Sequence, residues 1–276
     1  MKNQNLKSPQ YACAAWGWRE LEVPDYFNHA TQLGFTALEV NAHSQTPKHL
    51  LNNLSEEAVE KVRFWAEDGS VEIACVAADN DFTVTNAADL EAEIRKVCRC
   101  VDIAKKLQTK LIRVFAGGEN QDCLSPEILQ QLHTAFNCVG NYAETHGITI
   151  AIENHGGLTA TGQRIAKIME GINSAAVGVN YDPANFLMAG SDPLMALRYI
   201  LPWVKYTHWK DVRWGNGKPE LCAVGEGEIR WTPIVKELLN ADYQGYWVIE
   251  YEGVEDIQRG TKDSLAYLER VFQEVI

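Results

Sequence analysis

Short runs rich in β-branched, aromatic and small apolar residues alternate with longer amphipathic stretches along the whole chain, and no other sequence feature constrains its fold as much. The short runs are 11–18, 35–41, 71–78, 110–116, 148–154, 177–182, 204–210 and 246–251. Each is bounded by Gly, Pro, Asp or Asn, the residues that end strands and open turns. Helical periodicity between them is clearest in 88–107, Pro126–His146 and Ile257–Val275. In the first of these, Leu90, Ile94, Val97, Val101 and Ala104 recur at spacings of three and four, with Lys105 and Lys106 at the end the helix dipole favours. The stretch 54–68 opens on Ser55 followed by Glu56 and Glu57, an N-cap with acids in the first turn. Gly34, Gly69 and Gly147 each stand between a helix and the next strand, where a C-cap glycine is expected.

Eight strand-helix units fill the 276 residues without a linker rich in Pro, Gly or Ser. The expected fold is α/β, a single (β/α)8 TIM barrel over 11–276 behind a polar N-terminal extension, 1–10. An open doubly wound sheet is the rival, but it usually carries a glycine-rich phosphate loop after its first strand. Here that strand runs into Trp16-Gly17-Trp18. No P-loop, nucleophile elbow or H-E-x-x-H helix occurs, which removes the simplest nucleotide-binding, serine-hydrolase and zincin assignments.

With 25 basic against 37 acidic residues the formal net charge is −12, which argues against a nucleic-acid partner, since phosphate backbones call for clustered Lys and Arg. No window approaches a membrane span and the N-terminus has no secretory core, so the expected location is cytoplasmic. The seven cysteines are scattered and odd in number, as expected of free thiols in a reducing compartment. Cys98 and Cys100 point about 200° apart on a helix and form no metal clip.

Barrel active sites lie at the C-terminal ends of the strands. The last four runs end in polar residues: Glu153-Asn154-His155, Asp182-Pro183, His208-Trp209-Lys210-Asp211 and Glu250-Tyr251-Glu252. Charged side chains that close apolar strands cannot stay unpaired inside a barrel. Glu153, Asp182, His208 and Glu250 converging on one axis would repel unless a cation neutralised the carboxylates. Three carboxylates and an imidazole, with no thiolate, suit one divalent ion such as Mn²⁺, Mg²⁺, Co²⁺ or Zn²⁺. Each residue taken singly is also compatible with a solvent-facing acid or a simple ion pair.

The segments Ile152-Glu153-Asn154-His155-Gly156-Gly157, Tyr181-Asp182-Pro183-Ala184-Asn185, His208-Trp209-Lys210-Asp211-Val212, Gly225-Glu226-Gly227-Glu228-Ile229 and Ile249-Glu250 resemble the xylose isomerase-like barrel superfamily, and within it the sugar phosphate isomerase/epimerase group. The resemblance runs the length of the chain in strand order. It implies that Glu153, Asp182, His208 and Glu250 hold one divalent metal, that a carbonyl and a neighbouring hydroxyl of a sugar are chelated there, and that Glu153 and Glu250 move protons on an enediolate. The implied activity is isomerisation or epimerisation of a keto-sugar or related polyol derivative.

Departures from the pattern keep other outcomes open. Asn185 stands where several relatives carry His, and it can bind a sugar hydroxyl without shuttling a proton. Lys210, in the form His-x-Lys-Asp, resembles the inosose dehydratase branch and could assist loss of a hydroxyl in a dehydratase or lyase; a plain Lys210–Asp211 surface pair is the structural alternative. Apurinic endonucleases of the superfamily need extra histidines, but the third and fourth strands end here in Asp79-Asn80 and Ala116-Gly117. A sugar-binding barrel without turnover is a further alternative.

Arg113, inside the fourth strand, needs a partner, with Glu39 or a substrate oxyanion as candidates. Glu39, Trp16 and His155 are further candidate substrate contacts. Trp18, Trp209 and Trp214 could wall a sugar face or simply pack. His29, His133 and His146 fall on outer helices, while His43 and His49 follow the second strand in a loop. Self-association into a homo-oligomer is compatible with all of this.

Overall fold

The structure is a computed structural model that describes residues 8–46, 48–49 and 55–276. Most of the expected extension 1–10, and residue 54 at the start of the expected second helix, therefore lie outside the described residues. Eight parallel strands close into a barrel: β1 Gln10–Cys13, β2 Ala37–Ala42, β3 Glu72–Ala78, β4 Leu111–Val114, β5 Thr149–Glu153, β6 Val177–Tyr181, β7 Val204–Trp209 and β10 Tyr246–Ile249. Strands β8 (Asp211–Gly215) and β9 (Lys218–Cys222) form an antiparallel ribbon above the barrel after β7. The helices are α1 Val23–Gln32, α2 Glu56–Asp68, α3 Ala87–Lys106, α4 Pro126–His146, α5 Gly162–Met169, α6 Pro183–Met188, α7 Pro193–Ile200, α8 Trp231–Asn240 and α9 Ile257–Val275.

The expected barrel is thus the observed one, and local chemistry sets its element ends. Ser55 Oγ accepts the Ala58 amide at 3.1 Å and starts α2. Pro126 occupies the first turn of α4, and Gly147 closes that helix in the left-handed region at φ 66°. Gly34 does the same at φ 96°, but Gly69 does not: it is right-handed at −77°, and Ser70 takes the left-handed turn at φ 52°. The run 11–18 is not one strand. Its aromatic residues favour extended backbone locally, yet the chain leaves the sheet after Cys13 and makes a 3₁₀ turn over Trp16–Trp18, burying Trp18 against Tyr26 and His29 of α1.

The two-residue period of the strands sorts the side chains. Along β5, Ile150 and Ile152 face the helices, whereas Ala151 and Glu153 face the barrel axis. The same phase sends Tyr206 and His208 of β7, and Val248 with Glu250 after β10, inward. The barrel floor is built from small groups, Ala12, Ala37, Ala74, Cys75 and Ala151, around Tyr206 and Val248. Polar residues one step further along the same inward rows therefore meet at the C-terminal mouth. Register shifts lie beside Glu39 on β2 and Asn180 on β6, re-aiming the strands where they carry polar groups inward.

Asp211 ties the mouth to the segment that follows the ribbon. Its carboxylate accepts the amides of Val212, Gly225 and Ile229 at 2.9, 2.9 and 3.3 Å and the Trp231 indole N–H at 2.8 Å. A Cβ at Gly227 would come within 2.2 Å of the same carboxylate, so the Gly225-Glu226-Gly227-Glu228-Ile229 segment is shaped to wrap Asp211. Asp211→Ala leaves these buried donors unpaired and is expected to cost about 3 kcal/mol or more, each orphaned donor being worth about 1–3 kcal/mol. Urea unfolding checks this, with Asp211→Asn retaining part of the stability.

Candidate active site

Glu153, Asp182, His208 and Glu250 meet at the mouth, each at most 4% exposed. One ligand atom from each lies within 4.8 Å of the others. His208 Nδ1 stands 3.3 Å from Glu153 Oε1 and 3.3 Å from Glu250 Oε2. Asp182 is also the N-cap of α6, where its Oδ1 accepts the Asn185 amide at 3.0 Å, while its buried Oδ2 accepts no hydrogen bond. Three buried carboxylates and one imidazole whose ligand atoms converge this closely form an oxygen and nitrogen set that fits a divalent cation.

Electrostatics point the same way. Four buried carboxylates, counting Glu39, face two permanent cations, Arg113 and Lys210. Burial opposes charge on His208, yet the Glu250, Glu39 and Glu153 carboxylates raise its pKa well above 6.5. Burial likewise works against Glu153, but Arg113 and His208 bring its carboxyl down to about 2. Burial raises Asp182 to about 6, with Lys210 pulling the other way. A bound dication would supply the missing positive charge.

Glu39 is not the partner of Arg113. Arg113 Nε lies 3.1 Å from Glu153 Oε2, its NH1 donates to the Ala78 carbonyl at 2.9 Å, and its guanidinium stacks 4.2 Å from the Phe115 ring centroid. Glu39, wholly buried one layer below, is 3.1 Å from His208 Nε2. The two carboxylates fall on either side of one imidazole, so Nε2–H donates to Glu39 and Nδ1 is left facing the cluster. This is the carboxylate-histidine arrangement that orients metal-binding imidazoles.

Lys210 and Asp211 form no surface pair. Lys210 is buried, with Nζ 3.0 Å from Asp182 Oδ2, 2.8 Å from Glu250 Oε2 and 2.5 Å from Glu252 Oε1. Asn185 is buried beside the cluster, donating to the Asn154 carbonyl at 2.9 Å and to Glu153 Oε1 at 3.4 Å. Trp16, Arg113, Phe115, His155, Lys210 and Glu252 are among the residues that wall a cavity of about 190 Å³ opening onto Glu153 and Glu250. Neither Asn185 nor Glu39 lines it. Trp18 and Trp209 pack in the core, and Trp214 is exposed on the ribbon. His29, His133 and His146 lie on outer helices as expected, whereas His43 reaches the cavity wall and His49 is buried near Tyr26.

Glu119 and Glu252 are wall residues that sequence reasoning passed over. Glu119 Oε1 is 2.9 Å from His155 Nδ1. Its signal is weak: it follows the Gly117-Gly118 turn after β4, and nothing local marks it as inward. Glu252 lies two positions beyond Glu250 on the same strand phase, which was legible.

Comparison with known proteins places this geometry. A profile described as xylose isomerase-like TIM barrel matches residues 27–271. The chain belongs to the xylose isomerase-like TIM barrel family. An inosose dehydratase of Bacillus thuringiensis (strain Al Hakam) is 29% identical over 198 residues, 62% of this chain and 66% of that protein. That match spans just under two thirds of the relative's length. Among solved structures, a D-tagatose 3-epimerase-like protein superposes with a TM-score of 0.80 at 20% identity, covering 96% of this chain and 98% of that one. The IOLI protein with a binding zinc atom gives 0.82 at 15% identity over 97% and 99%. At those identities the likeness speaks for the fold. Among the described residues no helix is long and apolar enough to cross a membrane.

Two outcomes are expected if the cluster holds a metal. Replacing Glu39 by Leu frees the His208 ring and should raise the dissociation constant for Mn²⁺ or Zn²⁺ about 10- to 100-fold, with Gln intermediate, by calorimetric titration. His208 must also shed its proton before Nδ1 can bind a cation, so affinity should rise with pH and binding should release protons. Because the folded-state pKa is raised, protonated His208 stabilises the metal-free fold fully below the unfolded value of about 6.5 and loses that contribution as pH rises through the folded value. Titrations in buffers of different ionisation enthalpy across this interval check the sign.

Proposed function

We propose that this protein is a divalent-metal-dependent enzyme that isomerises or epimerises a keto-sugar or related polyol derivative by moving a proton next to a carbonyl. The observation that carries the proposal is the pair of buried carboxylates, Glu153 and Glu250, that both converge on His208 Nδ1 at 3.3 Å and both open onto the cavity. A bound divalent cation supplies Lewis acidity toward a carbonyl and a neighbouring hydroxyl, acidifying the adjacent C–H. The residues do the rest. Arg113, which stays charged whether or not a metal is bound, keeps Glu153 ionised and able to accept the proton. Lys210, 2.8 Å away, keeps Glu250 ionised despite its burial, which makes it the second proton-handling group. Trp16 and Phe115 give the cavity apolar faces for a sugar ring.

Dehydration is a second proposed outcome, favoured by Lys210. Its ammonium lies within hydrogen-bond reach of Glu250, so one carboxylate can take the proton next to the carbonyl while Lys210 gives a proton to a departing β-hydroxyl, which leaves as water. The likeness to an inosose dehydratase supports this outcome as much as the epimerase-like fold supports the first.

Incubating metal-loaded protein with ketoses and inososes in deuterated water, followed by NMR, tests both. Deuterium incorporation with epimer or isomer formation supports the first outcome, and incorporation with loss of a hydroxyl supports the second. No incorporation from any member would overturn the proposal. Glu153→Gln and Glu250→Gln should each lower turnover by about 10²- to 10⁴-fold. Lys210→Met should abolish dehydration while leaving C–H exchange measurable, if dehydration is the reaction.

A further inference from the structure

The cavity at the metal centre is one chamber of a longer cleft. Its volume of about 190 Å³ falls below the range of roughly 300–1,000 Å³ usual for small-molecule sites. A second chamber of about 370 Å³ shares His43, Gln45, Phe115 and Glu119 with it and extends over the ends of β3 and β4. Together the two fall within the usual range.

The outer chamber has built walls. Asn80 holds the Phe115 backbone from both sides, donating to its carbonyl at 2.7 Å and accepting its amide at 2.9 Å. Asp81 accepts the amide and hydroxyl of Thr83 at 2.7 and 2.6 Å. Gln131 donates to the Phe82 and Val84 carbonyls at 2.7 and 2.9 Å, fixing the loop after β3. Gly117 has φ 89°, and a Cβ there would land 1.8 Å from Asp81 Oδ1, so the loops after β3 and β4 close on each other as a fitted pair.

The chemistry of this wall selects its occupant. Asp79, Asp81 and Glu119 contribute carboxylates, Asn120 and Gln121 contribute amides, and no Lys or Arg is among the residues lining it. Three carboxylates against the close imidazole of His155 leave the wall net acidic, so it disfavours phosphate or carboxylate groups and accepts hydrogen bonds from hydroxyls. Gln121, whose side-chain N–H donates to Thr83 Oγ1 at 3.4 Å, is fixed in the same wall. At the junction, Phe115 lies beside the His155 ring at 5.2 Å, and His43 lies beside Trp16 at 4.9 Å. These rings give flat apolar surfaces where two linked sugar rings would pass from one chamber to the other.

We infer that the substrate is a neutral, glycosidically linked molecule of two rings, with the reacting keto unit in the inner chamber and an uncharged polyhydroxylated unit in the outer one. This rests on the proposed function for the inner chamber and adds to it the size and charge of the substrate.

The test uses metal-loaded protein and sugars that share one reacting unit: fructose, fructose 6-phosphate, isomaltulose with glucose on O6, and lactulose with galactose on O4. Dissociation constants come from calorimetry, and proton exchange from NMR in deuterated water. At least one two-ring sugar should bind ten-fold or more tightly than fructose, and fructose 6-phosphate should bind no better than fructose. Asn120→Trp, an exposed change that fills the outer chamber, should erase the two-ring advantage and leave fructose binding within about two-fold. Gln121→Ala should weaken only the two-ring sugar. Failure of every two-ring sugar to outbind fructose, an advantage that survives Asn120→Trp, or a preference for the phosphate would each overturn the inference. Absence of exchange in all four would count against the proposed function, while the affinities would still decide the cleft.

Discussion

Burying four carboxylates at one end of a barrel is costly, and much of this molecule is arranged around that cost. A charge taken out of water must be paired, and here each carboxylate has a specific counterpart: Arg113 for Glu153, Lys210 for Asp182 and Glu250, and the imidazole of His208 for Glu39. Two fixed cations do not balance four carboxylates. The pKa of His208 is raised for the same reason, and the cluster is one that could hold a dication. The barrel makes this geometry possible because inward rows from different strands end at one level around the axis.

The small residues of the floor matter as much as the charges. Alanines on β1, β2, β3 and β5 leave interior room, and Tyr206 and Val248 fill it. Above them comes a layer with Glu39 beneath His208, and above that the layer open to the cavity. Glu39 supports His208 from below, and Asp211 holds the roof segment 225–231 beside the mouth from outside. The layer of converging polar groups thus lies between two sets of fixed contacts, the condition for holding several groups in one geometry.

Much of this was legible in the chain. The ends of β5, β6, β7 and β10 carry Glu153, Asp182, His208 and Glu250 at the edge of apolar runs, and the period of two places each on the inward face. Where local signals misled, a longer-range contact had won. Residues 11–18 look extended because Trp and Tyr favour strands, but Trp18 gains more by packing on α1. Arg113 sits in sequence as if waiting for Glu39, yet in space the neighbouring strand β5 offers Glu153 on the same inward row.

The sequence by itself determined the number and order of the units, the face on which each polar residue stands and the set of residues that meets at the mouth, because strand period and turn chemistry are local. Only the tertiary structure decided which acid serves which base. Pairing depends on which strands become neighbours when the barrel closes and on the level each side chain reaches, and neither is written within one strand. It also decided that Lys210 turns inward to three carboxylates rather than outward to solvent, and that the mouth extends past Phe115 into a second chamber formed by loops distant in sequence.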